Sequence, residues 1–212
     1  YAFQDTKIKK IQFPASLKKI GNNLFSSCNS LEIVEFPEKS VLESIGDNAF
    51  GSTKIIKIMI PSNVKQIGNS TFNNCTNLQI IEFIGKSNLE SIGNCAFQST
   101  KISKIIIPSH VKQIGNYAFY NCTNLEIIEF QEKPLLEYIG YCAFQLTKIQ
   151  KIVIPSHVKT IGNNSFDGCN NLEIVEFSDD SVLESISDYT FQDFTQLTEL
   201  ELPSVIQIGK DA

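Results

Sequence analysis

The residues of this 212-residue chain whose chemistry could go beyond packing are six cysteines, two histidines and four Asn-X-Ser/Thr triplets. Cys28, Cys75, Cys122 and Cys169 stand 47 residues apart, as do Cys95 and Cys142. A disulfide needs Cα atoms within roughly 7 Å of each other, and a zinc site needs Cys and His to converge on one point. Recurrence at one fixed interval instead distributes equal residues along an axis. His110 and His157 keep the same 47-residue interval, so both read as solvated turn residues rather than ligands or proton carriers. Asn69, Asn74, Asn121 and Asn163 open the four triplets, which would accept N-linked glycan in a secreted eukaryotic protein. Catalysis requires a singular convergence of acid, base or nucleophile. Here every candidate is copied along the chain, and no P-loop, G-x-S-x-G or H-E-x-x-H occurs. The expectation is a non-enzymatic protein without cofactor or metal.

The elements that carry these residues repeat with them. A Phe lies four residues after a Gly at Phe25, Phe50, Phe72, Phe97, Phe119, Phe144 and Phe166, and Phe3 and Phe191 keep the phase without the Gly. The gaps alternate strictly between 22 and 25 residues, which marks a solenoid whose full unit is a pair of coils. Each coil opens on an apolar triad spaced L-x-x-L-x-L, nine in all, from Ile8/Ile11/Phe13 to Leu197/Leu200/Leu202. Its last two members alternate with exposed positions, the geometry of a strand. Pro14, Pro37, Pro61, Pro108, Pro155 and Pro203 then stop the ladder. A second apolar pair such as Val111/Ile114 reads as a short extended or turn-like side. The Gly that follows, as at Gly115, suits a corner of positive φ, although Ser187 breaks this column. The G-x-x-A-F-x-x-C/T segment is predicted to make one helical or 3₁₀ turn on the convex side, with the Phe pointing inward as a spine. In total the pattern predicts a right-handed solenoid with one parallel concave sheet of nine short strands. Stacked coils put successive cysteines of a column about 10 Å apart, too far to bridge. A bridge between the columns, such as Cys75 to Cys95, is the disfavoured alternative.

Residues 1–212 form a single array by this reading, and both ends fall within a coil, so the chain reads as an excerpt of a longer one with strand edges open to end-to-end association. The net charge is -5 and all 18 basic residues are Lys, which leaves no basic footprint and no guanidinium fork for nucleic acid. No apolar run approaches a membrane span, so the segment is not expected to insert directly.

Two charge patterns cross the coils. Lys18, Glu43, Lys65, Glu90, Lys112, Glu137, Lys159 and Glu184 alternate at one position, an arrangement that penalises a one-coil slip through like-charge contact. On the concave sheet face each interior strand offers one charge and one aliphatic group, in reversed order on the next strand. The aliphatic zigzag is Ile33, Met59, Ile80, Ile106, Ile127, Val153 and Ile174. Lys57, Glu82, Lys104, Glu129, Lys151 and Glu176 flank it, with Glu199 carrying the charge pattern onward. Such a grid serves either cross-strand packing or a contact patch for a protein partner.

The columns at Ile107–Ile128, IPSHVKQIGNYAFYNCTNLEII, closely resemble the BspA-like, or Treponema-type, leucine-rich repeat, and the resemblance extends over residues 1–212. It implies a leucine-rich-repeat superhelix on a cell surface or outside the cell, adhering to host cells or extracellular-matrix proteins, and it carries over no catalytic residue. A structural spacer presenting another domain is the first alternative. An intracellular protein-interaction scaffold in the cytoplasm is the second, suggested by unbridged thiols.

Overall fold

The structure, a computed structural model, describes residues 2–192, 194, 196–197 and 200–212. Each coil contributes a strand to one side of the stack and a shorter strand to another. The first set is β1 (Lys10–Gln12), β3 (Ile33–Glu35), β5 (Lys57–Ile60), β7 (Ile80–Phe83), β9 (Lys104–Ile107), β11 (Ile127–Phe130), β13 (Lys151–Ile154) and β15 (Ile174–Phe177). The second is β2 (Lys19–Ile20), β4 (Ser44–Ile45), β6 (Gln66–Ile67), β8 (Ser91–Ile92), β10 (Gln113–Ile114), β12 (Tyr138–Ile139), β14 (Thr160–Ile161), β16 (Ser185–Ile186) and β17 (Gln207–Ile208). Pairing is parallel in register, with Ile58 opposite Ile81 and Ile114 opposite Ile139. The second set forms one ladder of nine two-residue strands from β2 to β17. The side expected to be extended or turn-like is therefore a sheet.

The core lies between the two sets and the Phe column. Phe25, Phe50, Phe72, Phe97, Phe119, Phe144 and Phe166 are wholly buried. Their rings stack from Phe3 to Phe191 at centroid spacings of 5.2–5.7 Å. The expected spine is present, and each ring's burial is worth roughly 1.5–3 kcal/mol.

The single nine-stranded sheet is not. Among the described residues the first set forms two four-stranded ladders, β1-β3-β5-β7 and β9-β11-β13-β15, with no pairing between β7 and β9. Thr198 and Glu199, which belong to the expected ninth strand, lie outside the described residues. Within a ladder the strands also pair off: β5 joins β7 through four residue pairs, whereas β3 joins β5 through Ile33 and Lys57 alone. Two sequence features open every second gap. The coils bearing β5, β9 and β13 leave their strands at Pro61, Pro108 and Pro155, which have no amide hydrogen to donate backward. The preceding long coils swing away at the same level through their extra residues, such as Glu38 to Ser40. The 47-residue pair is thus a unit of structure as well as of sequence.

The convex helical or 3₁₀ turn is also corrected, since no helix occurs among the described residues. Positive φ recurs two residues after the corner, at Asn23, Asn48, Ser70, Cys95, Tyr117, Cys142, Asn164 and Tyr189, and again six after it, from Ser27 to Leu146. Two left-handed residues per coil forbid a right-handed helix. Their effect is to aim backbone groups along the stack. The amide of Phe25 donates to the Ala49 carbonyl at 2.8 Å and that of Phe50 to the Thr71 carbonyl at 2.9 Å.

The corner glycines do not have positive φ; only Gly85 and Gly168 do. The column is Gly because coils pass too closely there. A Cβ on Gly115 would lie 2.6 Å from the backbone nitrogen of Asn94 and 2.6 Å from the carbonyl carbon of Gly93. Ser187 shows the cost of a side chain at this position. The bonds from Asn164 to Asp188 and from Phe166 to Thr190 stretch to 3.2 and 3.3 Å, against 2.8 Å for the Phe119 amide to Ala143.

A column missed from sequence follows each Gly. Asn22, Asp47, Asn69 and Asn94 each accept, through Oδ1, the amide of the equivalent residue one coil on, at 2.7–2.9 Å. The signal was visible as Asn or Asp after nearly every corner. Tyr141 breaks this run, although its own amide donates to Asn116 Oδ1 at 2.9 Å.

Candidate functional site

The face of the first strand set carries the expected grid. Alternation along each strand turns Ile33, Met59, Ile80, Ile106, Ile127, Val153 and Ile174 outward, and each is 40–46% exposed. Register brings Lys57 opposite Ile80 and Met59 opposite Glu82, so the charges meet on the diagonal. Lys10 pairs with Glu35 at 2.7 Å, Lys57 with Glu82 at 3.0 Å, Lys104 with Glu129 at 2.8 Å and Lys151 with Glu176 at 2.7 Å. Every pair joins strands of one coil pair. Such exposed bridges contribute about 0–1 kcal/mol each; their larger effect is to hold the ammonium and carboxylate groups off the apolar row. The other charge ladder is in adjacent coils as expected, Lys112 donating its amide to Glu90 and Glu137 to Lys112. Lys159 reaches Glu137 at 3.0 Å and, with the charge of Lys112 behind it, holds the Glu137 carboxyl below the usual carboxylate range.

Between the coil pairs the face opens into clefts, a feature the sequence reading missed. The cleft between β3 and β5 holds about 500 Å³, that between β7 and β9 about 320 Å³, and that between β11 and β13 about 540 Å³. A fourth, beyond β15, holds about 640 Å³. Phe36, Phe83, Phe130 and Phe177, the last triad members of the long coils, floor them in turn and are only partly buried. The aliphatic grid residues form the walls, and Ile56, 46% exposed, extends the first. The alternation of Phe and Ile at the third triad position was the available signal: Ile60, Ile107 and Ile154 are buried where those Phe residues are not.

The thiols lie away from this face. Cys28, Cys75, Cys122 and Cys169 are free and buried, and each donates to the carbonyl of the Phe one coil back, as Cys75 does to Phe50 at 3.0 Å. Thr53, Thr100 and Thr147 lie one coil before these thiols, Thr53 Oγ1 at 3.2 Å from Cys75 Sγ. Burial pushes Cys75 and Cys122 up to about 11 and Cys169 up to about 12. Buried, protonated thiols are poor nucleophiles. Cys95 is partly exposed while Cys142 is buried. A thiol-disulfide reagent at pH 8 is expected to titrate one fast thiol per native chain, at Cys95, and six only after unfolding. Several fast native thiols would contradict the packing.

His110 and His157 share hydrogen bonds with their neighbouring Ser109 and Ser156 hydroxyls at 3.4 and 3.3 Å. Among the described residues no group of three or more His, Cys, Asp and Glu converges to hold a metal, and no helix is long and apolar enough to cross a membrane. What the arrangement offers is an apolar row with paired charges, suited to contact rather than bond-making.

Known proteins share this architecture. A crystal structure of a leucine-rich repeat protein from Bacteroides ovatus is 28% identical, superposes with a TM-score of 0.69, and is matched over 97% of this chain and 64% of its own. The pneumococcal vaccine antigen PcpA is 24% identical with a TM-score of 0.68, over 95% of this chain and 58% of its own. A leucine-rich cell surface protein from Faecalibacterium prausnitzii is 23% identical with a TM-score of 0.54, over 97% and 60%. The chain thus spans about three fifths of these structures' length. No curated protein sequence matches. The BspA-type leucine-rich-repeat model matches six copies over residues 1–126 and 90–212, and the chain belongs to that family.

Proposed function

We propose that this chain is a non-enzymatic protein-binding module of a cell-surface protein and that the strand face, the side expected to be concave, is its contact surface for host-cell or matrix protein. One observation carries the reading: a continuous row of seven aliphatic side chains, each 40–46% exposed, runs the length of one face. Contiguous exposed apolar area of that kind is uncommon on a surface without a partner. Affinity would accumulate from shallow contacts over several coils. The exposed side chains of Asn69, Asn74 and Asn163, and the half-exposed Asn121, leave room for glycan away from this row if the parent protein is secreted through a glycosylating pathway.

The combined substitution Ile80→Glu, Ile106→Glu, Ile127→Glu tests the proposal. These side chains are more than two-fifths exposed, so the thermal midpoint should move by no more than a few degrees. Binding to immobilised laminin, collagen or fibronectin, measured by surface plasmon resonance, should fall at least about tenfold, as expected for loss of central apolar contacts. Native retention on one of these surfaces that ignores the substitutions would assign the row to cross-strand packing. A second reading, an intracellular interaction scaffold, is favoured by the six free cysteines.

A further inference from the structure

In an array whose structural residues return every 47 residues, a side chain that does not return marks something local. Tyr117, Tyr120, Tyr138 and Tyr141 are four of the six tyrosines, and one repeat away their positions hold polar residues. These are Ser70 and Asn164, Asn73 and Asp167, Ser91 and Ser185, and Asn94 and Asp188. All four tyrosines gather on two adjacent coils and stay partly exposed. Tyr138 donates its hydroxyl to Asn116 Oδ1 at 3.3 Å. The ring of Tyr117 meets those of Tyr120 and Tyr141 edge to face, with centroids at 5.6 and 5.1 Å. The cluster has a cost, because Tyr141 stands where an Asn or Asp would hold the amide of the next coil.

Tyr117 and Tyr141 are the pair that the backbone holds together. The Tyr117 amide donates to the Tyr141 carbonyl at 2.8 Å, so the rings lean on each other with no loop left to close. Packing first, and then the approach of the Tyr141 hydroxyl, push the Tyr117 phenol up to about 12. The hydroxyl ends of the two rings therefore lie together. In a phenol the ortho carbons flank the hydroxyl carbon, and they carry much of the unpaired spin once an electron and the hydroxyl proton have left. Two such carbons held in contact couple instead of diffusing apart.

We propose that Tyr117 and Tyr141 are a site of oxidative coupling, at which a one-electron oxidant joins an ortho carbon of each ring and so staples two adjacent coils through dityrosine. Each phenol gives one electron to the oxidant and its hydroxyl proton to water. One carbon–carbon bond forms between the rings, and the hydrogen on each joined carbon moves to the oxygen, which restores both phenols. The net loss is two electrons and two protons. Hydrogen peroxide acting through a peroxidase accepts them and becomes two waters; persulfate accepts the electrons and becomes two sulfates. The joined residues are 24 apart in the chain, and closing that loop removes freedom from the unfolded state.

The test photo-oxidises the whole 212-residue chain with tris(bipyridyl)ruthenium and persulfate, at a dilution that keeps chains apart. Cleavage after Lys and Glu separates residues 113–126, with Tyr117 and Tyr120, from residues 138–148, with Tyr138, Tyr141 and Cys142. Mass spectrometry should find these two peptides joined and lighter by two hydrogen atoms, with fragmentation placing the bond between Tyr117 and Tyr141. Tyr117→Phe and Tyr141→Phe keep the rings, yet each should lower the yield at least about tenfold, as should unfolding in urea before oxidation. Tyr120→Phe, Tyr138→Phe and Cys142→Ser should leave it. The purified linked chain should unfold at a higher urea concentration than the unlinked one.

A bond between Tyr117 and Tyr120, or one that disappears with Cys142→Ser and is therefore a thioether, overturns the proposal. Equal yield from the unfolded chain, or no bond at a dose that couples free tyrosine, does the same. An unchanged urea midpoint in the linked chain overturns the staple.

Discussion

Gly115→Val should destabilise the array by about 2–4 kcal/mol in urea unfolding, a loss at the upper end for a single overpacked position. The Cβ of the new side chain would sit 2.6 Å from two backbone atoms of the preceding coil. Backbone cannot swing aside as a flexible side chain would, so the coils must separate. Separation lengthens the neighbouring bonds from Cys95 and Phe97, whose amides donate to Asn116 and Ala118 at 2.8 Å, and it parts the rings of Phe97 and Phe119 from their 5.4 Å contact. Ser187 marks the gentler end of the scale, because its coil survives with bonds stretched to 3.2–3.3 Å. Gly115→Ser should therefore cost less than Gly115→Val. Gly85→Ala separates close approach from backbone conformation: Gly85 has φ of +59 and nothing within 4 Å of its added carbon. It should lose only about 1–2 kcal/mol, the left-handed penalty of an ordinary residue. A Gly115→Val chain as stable as the parent would mean that the coils are not held at this distance.

Gly115 also shows what the sequence made legible. A residue type kept at all but one of the equivalent positions announces a constraint without naming it, and positive φ was the wrong constraint. The left-handed residues are instead Asn, Ser, Cys and Tyr two positions later, a mixed column that no composition rule singles out. The same mixing hid the absence of helix, because Gly-x-x-Ala-Phe is compatible with a helical turn until inter-coil bonding dictates otherwise. The Phe spine, the strand faces and the aliphatic grid were legible because each is a single-type column at a spacing only stacking explains. The clefts were not. They depend on two coils failing to pair at Pro61, Pro108 and Pro155, and a missing hydrogen bond leaves a trace in sequence only when both neighbours are considered together.

Raising the pH from 9 to 11 should remove much of the array's stability through three buried thiols. Burial lifts Cys75 and Cys122 from an ordinary value of 9.0 to about 11, and Cys169 to about 12, against the smaller opposing pull of hydrogen bonds from Thr53, Thr100 and Thr147. In the unfolded chain these thiols ionise from about pH 9 upward, while the folded chain keeps their protons. A thiol with its folded value raised contributes stability that is complete below the unfolded value and is lost as pH climbs toward the folded one. Each such group costs about 1.4 kcal/mol per pH unit within that window. Three together reach several kcal/mol, comparable with the whole stability of an ordinary domain. Cys75→Ser, Cys122→Ser and Cys169→Ser combined should keep a donor for the Phe50, Phe97 and Phe144 carbonyls that the thiols now reach at 3.0–3.1 Å, yet supply nothing to ionise. The urea midpoint of the parent should therefore fall steeply between pH 9 and 11, and that of the triple variant much less, even if the variant starts lower at pH 7. Parallel curves would assign the alkaline loss to Lys and Tyr on the surface and would show the thiol column to be open to water.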